Sequence, residues 1–185
     1  MHTATVFLKS ISAYSQSAAM QSTKKPNESH EDFDIRCWKE RIHATEDGYV
    51  FIPAMAIKNS IASAGKWLGK SIPGKGKSTY AKRLEAGVMV IEDIKLAMKV
   101  DDVKCEKLFV PSDGIRGSGK RVFKHFPLIP TWSGTVEFTI LDDIITKDVF
   151  KEHLEQAGMF IGIGRFRPQS NGTYGRFSVD KFTWV

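Results

Sequence analysis

The sequence has few cysteines, no long apolar run and no leader-like start. Its only two cysteines, Cys37 and Cys105, stand far apart, which excludes a disulfide framework and predicts a protein of the reducing cytoplasm. No stretch reaches the roughly 18 apolar residues that a transmembrane helix needs. The first residues lack the basic and apolar regions of a secretory signal. We therefore predict a cytoplasmic protein with no membrane partner.

Recognisable catalytic constellations are also missing. None of the five histidines has metal-ligand spacing to another histidine or a cysteine, and nothing resembles a nucleophile elbow or a catalytic triad. The sequence thus predicts no catalytic residue, no metal site and no cofactor. One enzymatic alternative stays open, a metal-dependent nuclease that uses Asp113 in a glycine-rich basic loop or the Asp142–Asp143 pair at a strand end.

Composition and charge describe a folded, basic protein. The chain has 185 residues, 42% hydrophobic and 26% charged, which suits one domain over residues 1–185 with its own core. Lysine and arginine number 27 against 21 acidic residues, for a net charge of +6. The distribution of these charges is more informative than their sum.

Three windows, residues 48–84, 114–136 and 156–179, contain no acidic residue and hold more than half of the basic ones. If the fold brings the windows together, they form a groove of one sign that attracts a polyanion and releases its counterions. Separate solvated surfaces are the alternative. The candidate phosphate-binding residues are Lys58, Lys66, Lys75, Lys77, Arg116, Lys120, Arg121, Lys124, Arg165, Arg167 and Arg176.

The order of predicted elements indicates the fold class. Strands are predicted over 3–12, 49–52, 87–98, 108–111, 135–141 and 174–184, and helices after Pro53 and over 147–157. The segment 87–98 is predicted as one strand, or as two with a kink at Glu92–Asp93. Residues 15–34 are predicted as a long flexible loop, and periodicity leaves 35–44 undecided between strand and helix. This order fits an α+β fold, a ferredoxin-like antiparallel sheet with helices on one face.

A glycine-rich stretch from Gly158 to Phe177 combines five glycines, three arginines and several aromatic residues. Glycines such as Gly162 and Gly164 let the backbone approach a ligand closely. Arginine binds phosphate, and an aromatic ring stacks on an unpaired base. Tyr174 is a candidate for stacking. We expect Phe166 and Phe177 to be divided between core and ligand, and the sequence does not say which is which.

Residues 112–126 alternate basic and aromatic side chains after a run of glycines. In a strand, Val122, Lys124 and Phe126 share one face, with Phe123 and His125 on the other. A finger that wedges against a nucleic-acid strand has this pattern, and Phe123 is then a further candidate for stacking. An edge hairpin protected by its charge has it too.

The residues from Val50 to Ile61, V-F-I-P-A-M-A-I-K-N-S-I, resemble the start of the first helix in CRISPR-associated RAMP-superfamily proteins. The late glycine-rich stretch is similar to the glycine-rich loop of that family. A basic insertion over about residues 100–134 is similar to the thumb of its backbone subunits. The resemblance covers about 60 residues directly, and Ala54 and Asn59 stand where the family pattern prefers glycine.

The resemblance implies an RRM-like core and a subunit that polymerises along a single strand. It assigns Lys58 to the basic helix position and Gly162, Gly164 and Arg165 to the glycine-rich loop. No histidine stands where the processing endoribonucleases of the family need one, which argues against that activity. The small size is similar to that of proteins carried by phages and mobile elements.

These observations together predict a non-catalytic protein that binds single-stranded RNA or DNA. The predicted assembly is a homo-oligomer along its ligand or a subunit of a ribonucleoprotein complex. A third hypothesis is a phage-encoded protein-interaction module that acts on a host complex.

Overall fold

The computed structural model describes residues 1–115 and 117–185, so the predicted site residue Arg116 lies outside the described residues. Within them the helices are α1 (His30–Cys37), α2 (Ala54–Leu68), α3 (Ala81–Gly87) and α4 (Lys147–Gln156). The strands are β1 (His2–Ser10), β2 (Tyr14–Ser15), β3 (Tyr49–Ile52), β4 (Val88–Val90), β5 (Ile94–Lys99), β6 (Lys104–Pro111), β7 (Arg121–Ile129), β8 (Ser133–Ile140) and β9 (Phe177–Trp184).

The central sheet has the strand order β4-β8-β1-β9, and every neighbouring pair in it is antiparallel. Helix α2 connects β1 to β4, and α4 connects β8 to β9. Two split β-α-β units therefore interlock in one sheet, which is the ferredoxin-like arrangement. The predicted α+β class and RRM-like sheet are confirmed.

Hydrophobic periodicity explains why the two helices cover one face of this sheet. Along β1, Ala4, Val6 and Leu8 are buried at alternate positions, and Val136, Phe138 and Ile140 do the same along β8. The α2 side chains Ile57, Ile61 and Ala64 are fully buried, as are Phe150 and Leu154 of α4. Phe138 meets Phe150 at a ring-centroid distance of 5.1 Å, edge to face.

Strands β5, β6 and β7 lie in the chain between β4 and β8, in the connection where a basic insertion was predicted. Strands β6 and β7 form a long antiparallel hairpin from Lys104↔Leu128 to Pro111↔Arg121. Strand β2 adds to the other edge of β7, and β3 pairs with β5 in a separate ribbon. The hairpin therefore lies outside the central sheet, with Lys120, Arg121 and Lys124 toward its tip.

Helix α1 anchors the base of the hairpin. The helix begins after Ser29, whose hydroxyl accepts a hydrogen bond from the Asp32 amide at 3.0 Å. Asp34 binds Arg41 at 2.5 Å and accepts a hydrogen bond from the His125 amide, and Arg41 donates to the His125 carbonyl at 2.6 Å. Residues 30–34, predicted as loop, and 35–41, left undecided, are therefore helical. This helical segment contacts β7 through Asp34 and Arg41.

His153 is fully buried between α4 and the α2–α3 connection. Its Nδ1 lies 2.7 Å from the Val149 carbonyl oxygen, and its ring meets the Tyr80 ring edge to face at 5.9 Å. Burial lowers the pKa of His153, because a charged imidazole loses its hydration there. The folded protein therefore keeps this side chain neutral at pH values where the unfolded chain binds a proton.

The buried imidazole predicts an acid-dependent loss of stability. An ordinary histidine has a pKa of about 6.5, so as the pH decreases below that value the unfolded state binds the proton before the folded state does. The free energy of unfolding therefore decreases as the pH decreases, until the pH falls below the lowered pKa of the folded state. The variant His153→Phe should reduce that slope by at most about 1.4 kcal/mol per pH unit. Urea unfolding at several pH values measures it, with the exposed His30→Gln as control. An unchanged slope in His153→Phe would contradict the prediction.

Candidate nucleic-acid interface

A groove runs between the β6–β7 hairpin and residues 161–174, which follow α4. One part, about 970 Å³, lies between the hairpin and the segment 165–174. The other part, about 310 Å³, lies between α2 and the segment 161–169. Ser17 and Arg165 line both parts, so the two parts adjoin at these residues, and together they are called the groove below.

The charges that line the groove have one sign. Among its described lining residues there is no aspartate or glutamate, and the cations are Arg41, Arg121, Lys124, Arg165 and Arg167. A cleft lined by like charges focuses their field toward a ligand of opposite sign. Such a lining suits a polyanion.

Arg165 lies where the two parts of the groove meet. Its guanidinium stacks over Phe126 and lies 4.2 Å from the Phe166 ring centroid, while its backbone amide donates to the Ser15 carbonyl at 2.9 Å. Its Nη1 is buried and has no hydrogen-bond partner within the described part of the chain. Burial, and then the nearby Arg41 charge, lowers the pKa of Arg165 to about 10, so it stays protonated at neutral pH. A charged donor is thus held ready for an anion.

Glycine allows the loop that carries Arg165 to pass close to β2. Gly164 has a φ of +72°, and a Cβ there would collide with the Tyr14 ring and the Ser15 carbonyl. Gly162 has a φ of +71°, and a Cβ would meet the Pro168 ring at 2.6 Å. The close approach that these glycines permit is therefore to the protein's own β2 and to the turn Pro168–Ser170, not to a ligand. The backbone path between them fixes the position of Arg165.

Substitution of Gly164 by alanine should therefore cost both strain and displacement. The left-handed backbone costs about 1 to 2 kcal/mol, and overpacking adds about 1 to 3 kcal/mol. We expect a Tm several degrees below that of the parent, measured by thermal unfolding. Gly114→Ala carries the same φ strain with nothing within 4 Å, and Gly119→Ala has neither burden. A Gly164→Ala variant as stable as Gly119→Ala would refute the account.

Aromatic side chains line the larger part of the groove. Phe166 and Tyr174 meet edge to face at 6.3 Å. Phe109 also borders this part, but its ring packs on Phe123 on the hairpin face opposite Lys124. The Tyr174 hydroxyl donates to Glu106 Oε1 at 2.7 Å. Burial, and then this bond, raises the pKa of Tyr174 to about 12, so the ring stays neutral and presents a face on which a base could stack.

The basic residues of the hairpin are positioned by its backbone. Arg121 donates to the Phe109 carbonyl at 2.6 Å, and Lys124 donates to the Ser112 carbonyl at 3.2 Å. Lys120 is exposed at the tip. Phe123 pairs with Phe109 at 5.0 Å on the hairpin face opposite Lys124, with the Lys107 ammonium 4.4 Å from its ring. The second acid-free window therefore contributes Arg121 and Lys124 to the groove.

The smaller part of the groove is polar. Arg167 reaches the Gly164 carbonyl and Gln169 Oε1, both at 3.2 Å. Gln16 is fixed between the Phe51 carbonyl, to which it donates at 2.7 Å, and the His43 amide, from which it accepts at 2.8 Å. Hydroxyl and amide groups of α2 complete this part, namely those of Asn59, Ser60 and Ser63.

The lysines of the first window lie away from the groove. Lys58 donates to the Glu85 carbonyl at 2.6 Å, and Lys66 pairs with the Glu85 carboxylate at 3.1 Å, so both point toward α3. Lys75 and Lys77 are exposed on the loop after α2, and Lys77 lines a separate depression with Asp142 and Asp143. Two of the three windows supply four of the five groove cations, while Arg41 lies outside all three windows. The first window supplies lining residues of α2 but no cation.

Two further predicted residues have structural contacts. Arg176 donates to the Met159 carbonyl at 3.0 Å and to the Thr173 carbonyl at 3.2 Å, so it holds the glycine-rich segment together. Phe177 is fully buried against Trp132 and cannot stack on a ligand. Of the two phenylalanines that the sequence could not assign, Phe166 lines the groove and Phe177 is core.

Of the three carboxylates considered for nuclease chemistry, Asp113 lies apart from the adjacent Asp142 and Asp143. Asp113 accepts hydrogen bonds from the Ile115 amide and the Ser118 hydroxyl near the hairpin tip. Asp142 pairs with Arg83 at 2.6 Å, and Asp143 with the Met1 amino group at 2.9 Å, at the far end of β8. Within residues 1–115 and 117–185, no three metal-ligating side chains are grouped to hold a metal ion.

The sequence interpretation missed Arg41, Phe109 and Phe126 as parts of the groove. Arg41 lies in the segment that periodicity left undecided. Their spacing of seven residues gave no signal for an ion pair between Asp34 and Arg41, because helical pairing is expected at three or four residues. Phe126 was placed on the same hairpin face as Lys124, and that arrangement is confirmed.

Comparison with solved structures places the fold. A chain of the Type III-B Cmr-beta complex bound to cognate target RNA matches all of this chain at 13% identity and a TM-score of 0.54, and this chain covers 60% of its length. Cmr6 from Pyrococcus furiosus matches 97% of this chain and 99% of its own at 13% identity and a TM-score of 0.50. No protein-family model and no curated protein sequence matches. This chain therefore shares its fold with both structures, which agrees with the resemblance noted in the sequence.

None of the helices in the described ranges is both long and apolar enough to span a membrane.

Proposed function

We propose that this RAMP-fold chain binds single-stranded RNA in the groove and does so as a subunit of a ribonucleoprotein complex. Phosphates would bind Arg121, Lys124, Arg165 and Arg167, and bases would stack on Phe166 and Tyr174. Recognition of this kind depends on the backbone and on π-faces that every base has, so it tolerates any sequence.

One observation carries the proposal: the described lining of the groove is cationic without an acidic residue, and at its centre Arg165 has an unpaired buried donor. The chain as a whole has a net charge of only +6, so this segregation is not a consequence of an overwhelming basic excess. An unsatisfied charged donor costs free energy unless a ligand supplies the acceptor. Phosphate is the acceptor that arginine binds with two parallel hydrogen bonds.

The fold supports a role in an RNA-guided complex. Both compared structures share this fold, and one of them was determined with its complex bound to target RNA. We infer that several copies, or this chain with related subunits, lie side by side along one strand in the cytoplasm. We further infer that the chain binds without cleaving, because its candidate carboxylates are engaged in separate contacts.

The proposal predicts binding that weakens steeply with salt. The four proposed phosphate-binding cations would displace counterions from a single strand, for a slope near −3 in log affinity against log salt, or about a 50-fold loss between about 50 and about 200 mM. Fluorescence anisotropy with a labelled RNA of about 30 nucleotides, and with DNA of the same sequence, measures this slope. Absence of binding at low salt, or salt-independent binding, would overturn the proposal.

The same mixtures test the inferred lack of catalysis and the assembly. RNA incubated with the protein and magnesium or manganese should stay at full length, and the mass of the complex from light scattering should rise stepwise with RNA length. Cleavage of the RNA by the parent protein that is lost in the Asp113→Ala variant would instead favour the nuclease alternative.

A further inference from the structure

An exposed pair of stacked aromatic rings lies beside the groove. Trp67 is 54% exposed and Phe160 is 47% exposed, and their ring centroids are 4.8 Å apart with planes inclined by only 18°. Phe160 covers one face of the indole. Large aromatic surfaces left in solvent at such a pair are typical of a binding site rather than of a solvated surface.

The pair continues the two walls of the smaller part of the groove. Asn59 and Ser63, which line that part, precede Trp67 by eight and four residues on the same face of α2, so Trp67 lies about 12 Å along the helix from Asn59. Phe160 belongs to the turn Ala157–Ile161, which leads directly into Gly162. The two segments that form the smaller part therefore meet again at the stacked pair.

The turn that carries Phe160 is held rigidly. Arg176 donates to the Met159 carbonyl at 3.0 Å, and Gly158 packs so closely on the Phe177 carbonyl that a Cβ would collide with it. A preorganised aromatic surface loses little conformational entropy when a ligand stacks on it. This rigidity assigns Arg176 a supporting role, in place of the phosphate contact that the sequence predicted.

We propose that Trp67, backed by Phe160, is a stacking platform for an unpaired base of the strand that occupies the groove. This inference rests on the proposed function and extends the binding site beyond its cationic part. The strand would pass from Arg165 and Arg167 along the polar face of α2, where Asn59 and Ser63 can bind sugar or base edges. The next base would then reach the free face of the indole.

A length series of oligouridines tests the platform at constant salt. For oligomers long enough to span groove and platform, Trp67→Ala should raise Kd roughly 5- to 150-fold, the range expected for loss of one base–aromatic stack. Oligomers that reach only the cationic part should bind the variant and the parent equally. Trp67→Phe should keep most of the affinity. Met55→Ala, an equally exposed apolar side chain on α2 outside the groove lining, should change nothing.

Tryptophan fluorescence gives an independent readout. Long oligomers should quench the emission of the parent, and Trp67→Phe should remove that quenching while binding persists. The platform would be overturned by equal affinity of Trp67→Ala and the parent at every length, or by quenching that survives in Trp67→Phe. In either case the groove proposal stands if Arg165→Gln still weakens binding. A Trp67→Ala variant that changes the mass of the unliganded protein would mark the pair as a contact between copies and also overturn it. If the parent binds no RNA at all, both proposals fall.

Discussion

Replacement of Arg165 by glutamine should weaken binding of single-stranded RNA by about 10- to 100-fold at low salt, the loss expected for charged hydrogen bonds. The residue lies where the two parts of the groove meet, so a strand that follows the groove must pass it. Its guanidinium is already positioned by Phe126 and Phe166 in the free protein, so the side chain loses less conformational entropy when it binds phosphate. The salt slope should also become shallower by about 0.7.

Matched substitutions separate this effect from a general loss of charge. Arg83→Gln removes the same charge from the far end of β8, where Arg83 pairs with Asp142 at 2.6 Å. Lys66→Gln removes a predicted site residue that the structure places beside Glu85. Both should change affinity less than about twofold, as surface charges away from the ligand do. Equal losses in Arg165→Gln and Arg83→Gln would show that only the overall charge matters.

The stability of Arg165→Gln should not fall with its affinity. Arg165 is a partly buried cation whose Nη1 has no partner among the described residues, so its removal relieves a desolvation cost. Thermal unfolding of the variant at or above the parent's Tm would fit this explanation. The binding loss could then not be attributed to unfolding.

Replacement of Asp34 by alanine should destabilise the protein by about 3 to 5 kcal/mol, because Arg41 would remain buried without its partner. Asp34 and Arg41 are both more than nine-tenths buried, and together they bind both backbone groups of His125. A typical domain has only about 5 to 15 kcal/mol of stability in total. We therefore expect a large fall in Tm and in the urea midpoint, and a hairpin that no longer faces the glycine-rich segment.

Two controls belong to this experiment. The double variant Asp34→Ala/Arg41→Met removes both charges and should recover much of the lost stability, since replacing a whole buried pair is often nearly neutral. Asp101→Ala breaks an ion pair with Lys39 in which Asp101 is 89% exposed, and it should cost no more than about 1 kcal/mol. If Asp34→Ala costs no more than Asp101→Ala, the buried pair does not anchor the hairpin.

Strong periodicity allowed most of the core to be predicted. The apolar stripe of Ile57, Ile61 and Ala64 correctly predicted the buried face of α2. The alternation of Val136, Phe138 and Ile140 correctly predicted the buried face of β8. The strand predicted over 87–98 is two strands separated near the expected kink, because β4 pairs with β8 while β5 pairs with β3. Pairing partners of that kind are set by tertiary packing and leave no local pattern.

Helix α1 could not be predicted from its sequence because its buried face is not apolar. Only Asp34 and Cys37 of that helix are buried, so the usual hydrophobic stripe is missing. The helix is held against the hairpin by the Asp34–Arg41 ion pair and by the hydrogen bond from the His125 amide to Asp34. Arg41 lies beyond the end of the helix, and His125 is far away along the chain. Long-range polar contacts of this kind become visible only in three dimensions.

The charge pattern located the site only in part. Absence of acidic residues identified the hairpin and the glycine-rich segment, which do face each other across the groove. It could not show that Lys58 and Lys66 point toward Glu85, because the direction of a helical side chain depends on which face packs on the sheet. Nor could it reveal that Arg176 is occupied by loop carbonyls.

Photochemical cross-linking of the protein to RNA that contains photoreactive uridines, followed by mass spectrometry of the linked peptides, tests the central claim most directly. The account predicts cross-links in the peptides that carry Phe166 and Tyr174, and their loss in Arg165→Gln at intermediate salt. Cross-links concentrated instead on the loop with Lys75 and Lys77, at the other basic surface, would contradict it.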